Sequence, residues 1–121
     1  MSNIYDEANQ FAKTLAATPE CEHFQSAQKK LKENPDSFQK AKDYLGQQMA
    51  IQTRQMLGQQ LYDDEIQSFN QLTSTILSIP EIAEFFQAQM AFGKMFQDIM
   101  KTINDAAGFD MDLFGGGLGL H

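Results

Sequence analysis

One stretch constrains this chain more than any other: PEIAEFFQAQMAFGKMFQDIMKTINDAAG, from Pro80 to Gly108. Proline suits a first helical turn, where its missing N–H is no loss, and glycine suits the left-handed residue just past a helix end. Between them Ile82, Phe85, Gln89, Phe92, Phe96, Ile99 and Ile103 recur every three or four residues. This seven-residue repeat with one polar interruption predicts a helix packed lengthwise on others. Phe86, Met90, Met95 and Met100 flank the line and widen its apolar face. A helix of roughly 28 residues is about 40 Å long. Its face is too broad for one neighbouring helix, so the pattern predicts the centre of a homodimer or higher oligomer. Phe85, Phe86, Gln89, Phe92, Phe96, Ile99 and Ile103 are the expected interface.

At 121 residues the chain fits a single domain, one able to bury about two-thirds of its unfolded surface without disulfides. Its charge is segregated. From Leu61 onward Lys94 and Lys101 stand against nine acids, which accounts for the whole net charge of −7. That balance argues against binding a nucleic-acid backbone, which rests on Lys and Arg neutralising phosphates, and against a polybasic membrane anchor. Cys21 is the only cysteine, so neither an internal disulfide nor a cysteine metal cluster is expected. The opening MSNIYDEANQ lacks the basic start and apolar run of a signal peptide. No stretch approaches the roughly 18 apolar residues of a membrane span. A cytoplasmic chain without membrane insertion is expected.

Read in order, the chain predicts an elongated all-α bundle of about five helices. The first, about Ile4 to Ala17, places Ile4, Ala8, Phe11 and Leu15 on a narrow buried seam. Thr18-Pro19 then caps and starts a second helix, with Phe24, Ala27 and Leu31 inward and the cations of Lys29 to Lys32 near its C-terminus. Asn34-Pro35 repeats the punctuation, Asn34 as cap. The third helix turns Phe38, Ala41, Leu45, Met49 and Met56 inward. Its glutamines (Gln47, Gln48, Gln52, Gln55, Gln59 and Gln60) read as a solvated face, or as buried amide pairs fixing helix register. Gly58 precedes Asp63-Asp64-Glu65, three acids suited to a helix start. The fourth helix uses Ile66, Phe69, Leu72, Thr73, Ile76 and Ile79 and ends at a tight kink before Pro80. Residues 1–108 form the expected domain, and 109–121 a Gly-rich tail. The tail is either flexible or docks Phe109, Met111, Leu113, Phe114, Leu118 and Leu120 onto a groove of its own oligomer or a partner.

No motif with catalytic context emerges. Cys21 and His23 are two apart, so on a helix they diverge by roughly 200°, and His121 ends a glycine tail. Cys21 reads as a packing residue; a redox or cofactor-binding role through Cys21 is the alternative from a different class. Glu81 and Glu84 share a helical face, yet lie in a first turn where acids stabilise the helix end. An enzyme using either of them at the Pro80 kink would need a basic or nucleophilic partner that the sequence does not supply. Asp63-Asp64-Glu65 is a weak divalent-metal candidate, because adjacent helical residues point apart. There is no Glu-x-x-His, phosphate-binding glycine loop or Ser/His/Asp arrangement. The Met and Phe residues read as core and seam, a haem or flavin pocket being the alternative. No catalytic, metal or cofactor residue is therefore expected.

The chain resembles the YlbF/YmcA family, small helical proteins of Gram-positive bacteria linked to competence, sporulation and biofilm control. Tyr5, Ala8 and Leu15 carry the likeness first, then Thr18-Pro19-Glu20, Phe24, Ala27, Leu31 and Asn34-Pro35. The Gln-rich run to Gln55-Met56-Leu57-Gly58, Leu61 with Glu65-Ile66, and Pro80-Glu81-Ile82 with Phe85, Ala88-Gln89 and Phe92 complete it. The resemblance implies an all-α fold that associates as dimers or higher oligomers, with no catalytic residues. It also implies regulation through partners: family paralogues, or a complex promoting messenger-RNA processing by a membrane-associated endoribonuclease. That complex binds iron–sulfur clusters through cysteines near its members' C-terminal ends. Here the final stretch has no cysteine, so no cluster is expected, and a paralogue's role is as open as a place in that complex. Residues and resemblance together predict a non-enzymatic cytoplasmic adaptor.

Overall fold

The computed structural model describes residues 3–109, and all of the expected 109–121 tail beyond Phe109 lies outside them. Five helices follow in order: α1 (Ile4–Ala16), α2 (Pro19–Lys32), α3 (Pro35–Met56), α4 (Asp63–Leu77) and α5 (Pro80–Ala107). There is no strand among the described residues. The all-α class and the long last helix are thus as the sequence indicates.

The punctuation works as its chemistry requires. All three prolines are the first residues of helices, where no N–H is needed. The Thr18 hydroxyl donates to the Leu15 carbonyl at 2.7 Å and accepts from the Cys21 N–H at 3.2 Å, tying the end of α1 to the start of α2. Gly58 closes α3 at φ +74°. Its N–H bonds the Gln55 carbonyl, and the Gln59 N–H bonds Arg54. Gly108 closes α5 in the same manner, at φ +72°, through Asp105 and Asn104. Both are left-handed terminations satisfying carbonyls that a helix end would otherwise leave open. Asn34 departs from expectation. Its side chain makes no capping bond to α3 and is instead turned to Glu81, to which its Nδ2 donates.

The described chain divides into two compact units, residues 25–87 and residues 3–24 with 88–109. The first holds a cluster of Leu31, Ala41, Tyr44, Ile76 and Ile82, against which Phe38, Phe69, Leu72, Ile79, Phe85 and Phe86 pack. Ile82 is 0% exposed, and burying such a side chain stabilises by about 1.5–3 kcal/mol. Tyr44 organises the cluster. Its ring stacks on Phe69 at 5.1 Å between centroids and tilts against Phe86 at 5.8 Å. Its hydroxyl lies 3.0 Å from that of Thr73. Thr73 gives its one hydroxyl proton to the Phe69 carbonyl, so Tyr44 is the donor.

Three faces differ from the sequence expectation. On α3 the buried line is Ser37, Ala41 and Tyr44, continuing through half-buried Gln48, Ile51 and Arg54. Met49 and Met56, expected inward, are exposed, Met56 at 87%. They lie one or two residues off that line, so helical rotation carries them away from α4. Gln48 is the half-buried glutamine of the series, while the other five named are exposed. On α4, Ile66 is 43% exposed rather than inward; it sits in the first turn, beyond the Phe69–Ile76 segment that meets the cluster.

The second unit is thinner. Its buried residues are Cys21 and Ala88, both small. Phe24 stacks on Phe92 at 5.2 Å, and Phe92 lies 6.1 Å from Phe96. The expected buried seam of α1 is absent, since α1 buries no residue. Ile4 is 74% exposed, Phe11 is also exposed, and only Leu15 of that stripe is half-buried.

Candidate functional site

Two polar clasps and one groove are built within residues 25–87. At the start of α5, Glu81 Oε1 accepts from Ser37 Oγ at 2.5 Å and from Asn34 Nδ2 at 2.9 Å. Ser37 is buried, and its hydroxyl is spent on this bond. The Ser37 donation, followed by that of Glu81's own backbone N–H, holds the Glu81 carboxyl below the ordinary glutamate range. A carboxylate so held is ionised at neutral pH, with its Oε1 filled by donors. It suits anchoring and the helix N-terminus better than acid catalysis. Glu84 pairs with Lys30 at 3.4 Å.

The second clasp closes the α3–α4 connection. Arg54 Nη1 donates to Glu65 Oε2 at 2.5 Å, and Nη2 donates to Glu65 Oε1 at 3.2 Å and to the Gln60 carbonyl at 3.0 Å. The Tyr62 N–H also reaches Glu65 Oε1, at 3.2 Å. The Arg54 hydrogen bond, then that from Tyr62, lowers the Glu65 pKa, while the same carboxylate raises that of Arg54. Beside this clasp, two adjoining hollows of about 220 and about 320 Å³ lie along α3 and α4 and share Ile51, Glu65 and Phe69 as walls. Leu61 and Ile66 complete the apolar lining of the smaller one.

The residues expected at an interface fall into three groups. Phe85 and Phe86 pack on the Tyr44 cluster. Phe92 and Ile99 are half-buried, Phe92 through its stack on Phe24. Gln89, Phe96 and Ile103 are exposed, the last two at 40% and 49%. The most buried residue in the middle of α5 is Ala88, one place before Gln89, so the enclosed line there runs one residue earlier than the repeat suggests. Cys21 is 8% exposed and packs as a small apolar side chain. His23 is exposed, and His121 lies outside the described residues. Among the described residues no three His, Cys, Asp or Glu side chains gather into a metal-holding group, and no helix is long and apolar enough to cross a membrane.

Neither clasp was visible as a pair in the sequence. Ser37 and Glu81 are 44 residues apart, beyond any local pattern. Arg54 did carry a signal: it is the only cation between Lys42 and Lys94, and a lone guanidinium beside an acid-rich helix start finds a carboxylate readily.

Five helices, with contact surfaces and anchoring carboxylates as their built features, define a small all-α protein. The chain belongs to the YlbF/YmcA family: the family described as "Control of competence regulator ComK, YlbF/YmcA" matches residues 4–106. That membership supports a regulatory role of the YlbF type. It is similar to a UPF0342 protein of Caldicellulosiruptor saccharolyticus, 28% identical over 115 residues that cover 95% of this chain and 96% of that protein. A UPF0342 protein of Latilactobacillus sakei is 33% identical over 102 residues, covering 84% of this chain and 90% of the relative. One of Lactiplantibacillus plantarum is 31% identical over 101 residues, covering 84% and 89%. No solved structure matches.

Proposed function

We propose that this chain is a non-enzymatic cytoplasmic adaptor that regulates through helical protein–protein contacts and associates with itself through the apolar face of α5. The family match over residues 4–106 carries the reading. Exposed Phe96 and Ile103, on the same stripe of α5 as half-buried Phe92 and Ile99, support it. Large apolar side chains at helical spacing on one exposed face are the raw material of a helix–helix interface. Expected partners are a second copy first, then family paralogues or an endoribonuclease complex.

The test is genetic. In the native host, deletion should alter competence-gene transcript levels, and the wild-type chain should restore them. An allele carrying Phe96→Asp with Ile103→Asp, expressed at an unchanged level, should fail to restore them. Full restoration by that allele would refute action through this face.

A further inference from the structure

The groove between α3 and α4 is lined by residues of those two helices and their connection, none of them from α5. Its walls are Ile51, Leu61, Ile66 and Phe69, with Ile66 on the exposed rim. The hollows, of about 220 and about 320 Å³, are open notches side by side along the helices, unlike the clefts that bury most of a small ligand's surface. They suit one or two bulky side chains of a peptide better than a small molecule.

Two further features select the peptide. The groove is already set: Arg54 bridges Glu65 on α4 and the Gln60 carbonyl of the connection, so an occupant need not order the α3–α4 junction. Its surroundings are acidic. Between Tyr44 and Ile79 the sequence has one cation, Arg54, against Asp63, Asp64 and Glu65. Arg54 and Glu65 neutralise each other, which leaves Asp63 and Asp64, exposed in the same first turn of α4 as Ile66, as the net charge of this segment. A phosphate-bearing strand or an acidic peptide is repelled there, and a basic one is drawn in. We infer that this groove docks a partner protein's segment that presents one or two bulky apolar anchors flanked by Lys or Arg, in the manner of a helix or strand laid in a groove.

The experiment uses the full chain and a random peptide phage library, with counter-selection on an Ile66→Glu variant whose helicity is checked by circular dichroism. Peptides enriched on the wild-type chain should carry a bulky apolar pair with adjacent Lys or Arg. Synthesised, they should bind Ile66→Glu at least tenfold more weakly. Asp63→Asn with Asp64→Asn, both on the surface, should weaken them several-fold and flatten their salt dependence. Enriched peptides without cations, no enrichment over Ile66→Glu, or binding indifferent to the paired Asn changes would overturn the inference. So would Ile66→Glu lowering the mass of the chain alone in solution, which would make the groove a contact between copies.

Discussion

Residues 25–87 enclose an apolar cluster, although Met49, Met56 and Ile66 stay on their surface, whereas residues 3–24 with 88–109 enclose little of their apolar surface. The first unit gathers Leu31, Ala41, Tyr44, Ile76 and Ile82 around hydrogen-bonded Tyr44–Thr73 and Glu81–Ser37 pairs. The second buries only Cys21 and Ala88 among its described residues, and its α1 carries Ile4, Tyr5 and Phe11 to the surface. The contrast separates two uses of one residue type. Where aromatic and branched residues on four helices converge, they make a core. Where one helix lines them up without such convergence, they make a surface available for association.

The largest test of this contrast is Ile82→Ala, which should cost about 2–5 kcal/mol by opening a cavity in the enclosed unit. The mirror change, Ile4→Ala, should stay within about 0.5 kcal/mol, as exposed positions do. Urea denaturation of both variants checks the pair, and equal losses would erase the distinction. Gly58→Ala has open space around the new methyl, so only backbone strain at φ +74° opposes it; a left-handed alanine costs roughly 1–2 kcal/mol. Tyr44→Phe should cost about 1 kcal/mol in the same assay, because it removes one neutral hydrogen bond while Thr73 keeps its carbonyl partner.

The smallest expected effect is on pH dependence. The folded pKa values of Glu81 and Glu65 are depressed, so their contribution is complete above the unfolded glutamate value of about 4.3 and disappears as pH falls through the folded values. Denaturation midpoints should therefore decline below that pH. Glu81→Gln should decline less steeply over the same window; an unchanged slope would remove Glu81 from the account.

Helix limits were legible because Pro19, Pro35, Pro80, Gly58 and Gly108 act through local backbone geometry. Helix faces were less so. Apolar spacing favoured Met49 and Met56 over Tyr44, Gln48 and Ile51, and Gln89 over Ala88, since it records which residues resist water but not where a neighbour comes close. A small residue such as Ala88 marks close packing by what it lacks, which no hydrophobic pattern registers. Asn34 looked like a cap, yet bonds Glu81 47 residues away, a choice made by tertiary structure. For the same reason the Arg54–Glu65 groove had no motif of its own.

The claim that the α5 face is covered by a second copy is tested most directly by sedimentation velocity of the full chain over a wide concentration range. A mass at least twice the 13.7 kDa of one chain, falling to that of one chain in Phe96→Asp with Ile103→Asp at unchanged helicity, is the predicted result. A wild-type chain that sediments as a folded 13.7 kDa monomer at every concentration would contradict it.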